Sequence, residues 1–365
     1  MTIPDKRPHL IGIGVLLMAA ATVMAVEVSP RPDTEAQIKY RHIPAAAPGF
    51  AWRGYVAPAP AGGMKLEWSG SGMDVRFKSA TARLRFHAPS NSQYWIKVDD
   101  GAFVCYPVQP VIDLSPVLKP AKGNIHRLVL IKKTEPPNGV DLLDGMEIDQ
   151  GGSVLTPSPD WPSRRILFLG DSITVGMQCP KSGETDVMGT YAWLLGAKFN
   201  ADIRMVAVSG VGVFKGWRNQ PFADEWNRVM SDVAAGNTAI PSSWQPDLIV
   251  FNLGTNDASR EVKETDFQPA MKRLVVTVTG RYPKAAILVL VPWTYGCYPA
   301  ALQTVVNQVH AELGATIKLV PAGPQGWVVA GGMSDNTHPN LKGHQVAAQK
   351  LLPFIANIMN WRDGN

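Results

Sequence analysis

The stretch Ile166-Leu167-Phe168-Leu169-Gly170-Asp171-Ser172-Ile173 decides the reading of this chain: an apolar run gives way at once to a glycine, an acid and a serine. A short, wholly apolar run bounded by turn formers fits a strand buried on both faces. The serine after it then stands at the strand's carboxyl end, where open α/β sheets gather their reacting groups. Alone, a Gly-Asp-Ser turn is ordinary turn chemistry, with glycine relaxing φ and Asp or Ser bonding nearby backbone. It is not alone in this chain.

Three further apolar runs end in the same way. Ile203 to Val208 leads into Ser209-Gly210-Val211-Gly212, and Leu248 to Leu253 leads into Gly254-Thr255-Asn256-Asp257. Ile317 to Val320 precedes a loop holding Asp335-Asn336-Thr337-His338-Pro339. Ser172, Gly210, Asn256 and His338 are therefore expected at one edge of one sheet, and each type suits a task in acyl transfer. Ser172 is the candidate nucleophile. His338, whose ordinary pKa lies nearest neutrality, is the candidate base, and Asp335 can hold its other ring nitrogen. The amides of Ser172 and Gly210 and the Asn256 carboxamide can donate to a developing oxyanion.

On these residues the chain resembles the SGNH, or GDSL-like, hydrolase superfamily, whose four naming residues match Ser172, Gly210, Asn256 and His338, with Asp335 to Pro339 meeting its Asp-x-x-His-Pro block. The resemblance runs from about Arg164 to the C-terminus. It implies a flavodoxin-like α/β fold, a parallel five-stranded sheet with helices on both faces, and a Ser-His-Asp esterase with an oxyanion hole. Upstream, Glu67-Trp68-Ser69-Gly70-Ser71-Gly72, Asp74-Val75-Arg76-Phe77, the Val98 to Gly101 turn, Leu128 to Glu135 and Gly145 to Ile148 resemble the N-terminal β-sandwich of family 2 carbohydrate esterases. Those enzymes, of the acetyl xylan esterase type, place a smaller, jelly-roll-like all-β domain before the hydrolase domain. The resemblance implies an acetylated polysaccharide or oligosaccharide as substrate and no cofactor.

Length agrees with that division, since 365 residues exceed the usual single core and 45% hydrophobic content can fill two. The expected domains are a β-sandwich over 40–155 and the hydrolase over 163–365, joined by the Pro-rich Thr156 to Pro162; Pro44 to Gly63 reads as an approach segment. Strands are expected near 165–169, 202–208, 247–253, 286–292 and 317–320, and helices near 189–199, 221–234, 266–280, 299–312 and 341–359. Short alternating segments such as Asp74 to Lys78, Ala82 to His87 and Tyr94 to Val98 carry the sandwich pattern.

Lys6, Arg7 and His9 before the apolar run Leu10 to Val26 read as a signal peptide over residues 1–25, which predicts a secreted or periplasmic protein; an uncleaved anchor is the competing reading. Of three cysteines, Cys179 and Cys297 both follow catalytic-domain strands and could pair, with three free thiols the alternative. No pattern of metal ligands appears. A net charge of +5, unclustered, gives no support to a nucleic-acid partner. Trp217, Trp293, Tyr295 and Tyr298 fall in loops at the catalytic edge, with Trp293 and Tyr295 the preferred sugar-stacking pair. Three other functions remain open: a secreted polysaccharide O-acetyltransferase, a lipase-like or thioesterase-like hydrolase, and a non-catalytic glycan-binding protein, which the intact Ser172, His338 and Asp335 argue against.

Overall fold

The computed structural model describes residues 39–362 except 60–61, 88–89, 158–160, 220, 225, 229–242, 323–325 and 328. The signal-peptide segment, part of the expected interdomain joint and the later part of the helix expected over 221–234 lie outside the described residues.

The second domain is an α/β layer built on five parallel strands: β13 (Arg164–Gly170), β14 (Ala201–Ala207), β15 (Leu248–Asn252), β16 (Ala286–Leu290) and β17 (Ile317–Val320), in the order β14-β13-β15-β16-β17. All five residues of both β15 and β16 are buried, as continuous apolar runs demand when helices cover both faces. The covering helices are α2 (Tyr191–Lys198), α4 (Glu264–Arg281), α5 (Pro299–Leu313) and α6 (Leu341–Met359), with α2 packed on α6 and α4 on α5. Each lies within two or three residues of the span its sequence pattern predicts. The expected helix over 221–234 is instead a single 3₁₀ turn, Phe222–Asp224, as far as it is described. Two short helices escape the periodicity because neither is long enough to show one: α1 (Ser172–Val175) and α3 (Thr255–Ser259), both at the carboxyl edge.

The first domain consists of two six-stranded antiparallel sheets. One has the order β3-β4-β11-β6-β9 with β1 added on β11, and is built from β1 (Tyr40–Pro44), β3 (Val56–Pro58), β4 (Met64–Leu66), β6 (Ala82–Phe86), β9 (Val111–Asp113) and β11 (Asp141–Asp149). The other has the order β12-β5-β10-β7-β8 with β2 added on β5, and is built from β2 (Phe50–Arg53), β5 (Gly72–Lys78), β7 (Gln93–Val98), β8 (Val104–Pro107), β10 (Ile125–Lys132) and β12 (Ser153–Val154). Alternation is visible in β6, whose residues run buried, half-buried, buried, half-buried, buried. Inner-face residues such as Met73, Val75, Phe77, Leu84, Leu128, Leu130 and Met146 form the sandwich core.

The sandwich docks on the α/β domain through apolar and polar contacts. Tyr55, Trp68 and Ile131 belong to the same buried cluster as the sheet residues Ile166 to Leu169. The Trp95 indole N–H donates to Asp186 Oδ1 at 2.8 Å, the Val187 amide donates to the Lys133 carbonyl at 3.2 Å, and the Trp68 indole donates to the Arg228 carbonyl at 3.2 Å.

Candidate active site

Ser172 opens α1 directly after β13. Asp171 caps that helix, its Oδ1 accepting the Ile173 amide at 3.0 Å, and Gly176, with φ 82°, ends it in the left-handed conformation that glycine adopts freely. Gly170 has no room for a side chain: a Cβ there would lie 2.1 Å from Thr174 Oγ1. The turn thus places the Ser172 hydroxyl at the sheet edge with its backbone already helical.

His338 arrives from the other side, in the loop ahead of α6. Asp335 Oδ1 accepts the amides of Thr337 at 2.7 Å and His338 at 2.6 Å, closing the loop on itself. Asn340 then caps α6 by accepting the Gly343 amide at 3.2 Å. Held in this way, His338 Nε2 lies 2.9 Å from Ser172 Oγ, and His338 Nδ1 lies 2.9 Å from Asp335 Oδ2. Burial raises the Asp335 carboxyl, but the His338 amide and ring and the Thr337 amide outweigh it and hold the group below the usual carboxylate range. An ionised acid on Nδ1 leaves Nε2 free to accept a proton from the serine. His344, the nearest competitor, is fully buried and is pushed down to about 3 by that burial, so it stays neutral and walled off.

Gly210 and Asn256 complete the edge. Gly210 sits at φ 80°, and a Cβ there would press on Trp217 Cβ at 3.2 Å. Its carbonyl accepts the amides of Trp217 at 2.7 Å and Arg218 at 3.2 Å, folding the 210–218 loop back. Asn256 Nδ2 donates to the Val211 carbonyl at 2.9 Å and lies 3.4 Å from Asp171 Oδ2, which ties the three strand-end segments together. The buried Asp257 accepts the amides of Val213, Phe214 and Lys215 at 2.8, 2.8 and 3.0 Å. Its position beside Asn256 was the only sequence cue to that role.

The preferred aromatic pair needs correction. Trp293 is 0% exposed and packs against Tyr191, Trp327 and His344, with ring centroids 6.1, 6.3 and 6.0 Å away, so it cannot face a sugar. Tyr298 is buried against Phe267 at 4.0 Å. Tyr295 is 44% exposed, and its hydroxyl donates to the Asn336 carbonyl at 3.1 Å beside His338. Trp217, 64% exposed, stands on the Gly210 loop with the Arg260 guanidinium 4.4 Å from its ring. Trp217 and Tyr295 are thus the two exposed aromatics of the four. The cysteine pairing also fails: Cys105, Cys179 and Cys297 are free, and burial pushes the Cys179 and Cys297 thiols up to about 12.

Residues 168–346 match the GDSL-like lipase/acylhydrolase family, and residues 52–159 match the carbohydrate esterase 2 N-terminal family. The chain carries a GDSL-like acylhydrolase domain behind a carbohydrate esterase 2 N-terminal domain. It is similar to the cellulase/esterase CelE of Acetivibrio thermocellus, at 26% identity over 331 residues, covering 86% of this chain. The chain spans 40% of the length of that relative. It is also similar to an acetylxylan esterase / glucomannan deacetylase of Cellvibrio japonicus, at 24% identity over 65% of this chain and 68% of that one. Among solved structures, a family two carbohydrate esterase from Cellvibrio japonicus superposes with a TM-score of 0.76 at 21% identity, over 88% of this chain and 99% of that one. A family two carbohydrate esterase from Clostridium thermocellum, in complex with cellohexaose, gives 0.73 at 25% identity over 86% of this chain and 100% of that one. The parallel sheet and the all-β domain are therefore those of this GDSL-like, carbohydrate esterase 2 architecture.

Within the acylhydrolase domain, Asp171 is the buried acid that no strand-end pattern singled out for titration. Burial pushes its carboxyl up to about 7, against the lowering bond from the Ile173 amide, and the Asp257 charge adds to the rise. A raised acid keeps its proton in the folded chain across pH values where the unfolded chain has lost it. The folded state then binds more protons, and stability falls as pH climbs from the unfolded value, about 4, towards 7. Asp171→Asn keeps an oxygen for the Ile173 amide and removes this penalty. Its Tm relative to the native chain should therefore be more favourable at about pH 8 than at about pH 5. The same Tm difference at both pH values would contradict the raised titration.

Proposed function

We propose that this protein is a serine esterase that removes O-acetyl groups from a polysaccharide or oligosaccharide. The observation that carries the reading is the 2.9 Å approach of His338 Nε2 to Ser172 Oγ, with Asp335 on the far ring nitrogen. Ser172 Oγ attacks the acetyl carbonyl as His338 takes its proton. The resulting oxyanion is met by the Ser172 and Gly210 amides and by the Asn256 carboxamide, whose second N–H has only the long contact to Asp171 to give up. His338 returns the proton to the departing sugar oxygen, leaving acetyl-Ser172. Water, deprotonated by His338, then releases acetate and restores the serine.

Trp217, on the Gly210 loop, and Tyr295, on the loop after β16 and bonded to Asn336 of the His338 loop, are the exposed aromatics of these strand ends and offer the faces on which a sugar ring stacks. The acetylxylan esterase and glucomannan deacetylase names of the Cellvibrio relatives agree with a glycan ester. The test compares kcat/KM on 4-nitrophenyl acetate, butyrate and octanoate with acetate release from acetylated xylan and glucomannan. Acetate should be preferred among the aryl esters, and acetate should be freed from a glycan. Fastest turnover of octanoate with no glycan deacetylation would point to a lipase-like enzyme, and acetyl transfer to an added sugar in place of hydrolysis would point to a transferase.

Asn256→Ala should lower kcat by about 10²–10³ with little change in KM, because its second N–H is needed only when charge develops. Unchanged kcat with raised KM would restrict Asn256 to ground-state binding.

A further inference from the structure

Glu135 belongs to the sandwich, in the segment that leaves β10, yet its carboxylate is spent on the other domain. Its Oε2 accepts the Ser209 amide at 2.9 Å and its Oε1 accepts the Ser209 hydroxyl at 2.7 Å. It is 7% exposed, so water does not readily replace either bond. Ser209 is the residue before Gly210, and the peptide joining them carries the Gly210 N–H.

That N–H is therefore constrained from both directions. Downstream, the Gly210 carbonyl holds the Trp217 and Arg218 amides, and Asp257 gathers the amides of Val213, Phe214 and Lys215. Upstream, the two Glu135 bonds to Ser209 come from outside the α/β domain, beside a longer contact of the Ser209 hydroxyl to Met177 Sδ at 3.4 Å within it. A carboxylate suits it, since an ionised acid only accepts, while Ser209 presents two donors side by side. Burial holds the Glu135 carboxyl above the usual carboxylate range, although the two Ser209 bonds, Arg218 and His338 oppose the rise.

We propose that Glu135 is a positioning residue for the oxyanion hole: through Ser209 the sandwich sets the direction of the Gly210 N–H, which makes the sandwich part of the reaction apparatus. The inference rests on the esterase reading. It also separates Glu135 from the other cross-domain bonds, such as that of Trp95 to Asp186, which join the domains without touching a strand-end donor.

Glu135→Gln keeps the volume but turns an NH₂ towards one of the Ser209 donors. In the full-length protein it should lower kcat on 4-nitrophenyl acetate by about 10- to 100-fold, the loss that a small misplacement of a reacting group brings, with KM within about twofold. The rate at which a fluorophosphonate labels Ser172 should fall by a similar factor, because the phosphoryl oxygen occupies the same hole. Ser209→Ala, which keeps the amide bond to Glu135 and loses the hydroxyl's contacts to Glu135 and Met177, should show the same pattern at about 3- to 10-fold, and reads the effect even where Glu135→Gln fails to fold. Trp95→Phe is the docking control and should leave kcat and labelling within about twofold while lowering Tm.

Native kcat and labelling in folded Glu135→Gln would overturn the proposal, as would a kcat loss in Trp95→Phe equal to that in Glu135→Gln. A native chain that is labelled at Ser172 but releases no acetate would sink the esterase reading alone, with the positioning role still read from labelling rates. A native chain inert to both reagents would sink both.

Discussion

Ser172→Ala is expected to lower kcat on an aryl acetate by about 10⁵–10⁶, leaving only the residual rate that an oxyanion hole and substrate binding provide. The hydroxyl has one described partner, His338 Nε2 at 2.9 Å, and does nothing for the fold that alanine cannot do. Alanine has the helix propensity to sit at the first position of α1, and Asp171 still caps the turn through the Ile173 amide. The stability change should accordingly stay within about 1 kcal/mol, the scale of one hydrogen bond. Glycan affinity should survive, because Trp217 and Tyr295 are untouched, and affinity electrophoresis in an acetylated glycan can measure it. Near-native kcat in the alanine variant would remove Ser172 from the mechanism.

The parts of the molecule that sequence made legible are those fixed by local chemistry. Ile166 to Leu169, Leu248 to Phe251 and Ala286 to Leu290 are apolar without alternation because both faces of the sheet are covered, and that pattern is visible one residue at a time. Gly210 announces a turn because its φ of 80° lies in the region that glycine adopts at least cost. What stayed hidden was decided between segments distant in the chain. Trp293 and Trp217 both follow strand ends, and nothing local tells them apart. Trp293 turns inward because Tyr191 of α2, His344 of α6 and Trp327 leave a cavity of its shape, while Trp217 is drawn outward by the Gly210 carbonyl and the Ser259 hydroxyl, which its backbone and indole N–H groups reach at 2.7 and 3.0 Å. Glu135 is the extreme case, since it lies 74 positions from Ser209 and in another domain.

The same distinction between local and distant support bears on the histidine. His338→Ala should be nearly as damaging as Ser172→Ala, about 10⁵ or more in kcat, because among the described residues no other side chain bonds the Ser172 hydroxyl to take its proton. His344 cannot substitute: it is buried behind Tyr191 and Trp293, and its Nδ1 already accepts the Tyr191 amide at 3.3 Å. Asp335→Asn should cost less, about 10²–10³, below the loss of about 10⁴ that follows when a buried triad aspartate is replaced. The reason is exposure. The Asp335 side chain is 40% exposed, so solvent already screens its charge and can supply an acceptor for the Nδ1 proton. Asparagine also keeps an oxygen for the Thr337 and His338 amides, which hold the loop at 2.7 and 2.6 Å. What the asparagine loses is the negative charge that stabilises the imidazolium as it forms, so kcat should fall while KM stays close to native. Equal losses at the two positions, with circular dichroism unchanged, would mean that Asp335 is as indispensable as the histidine it orients.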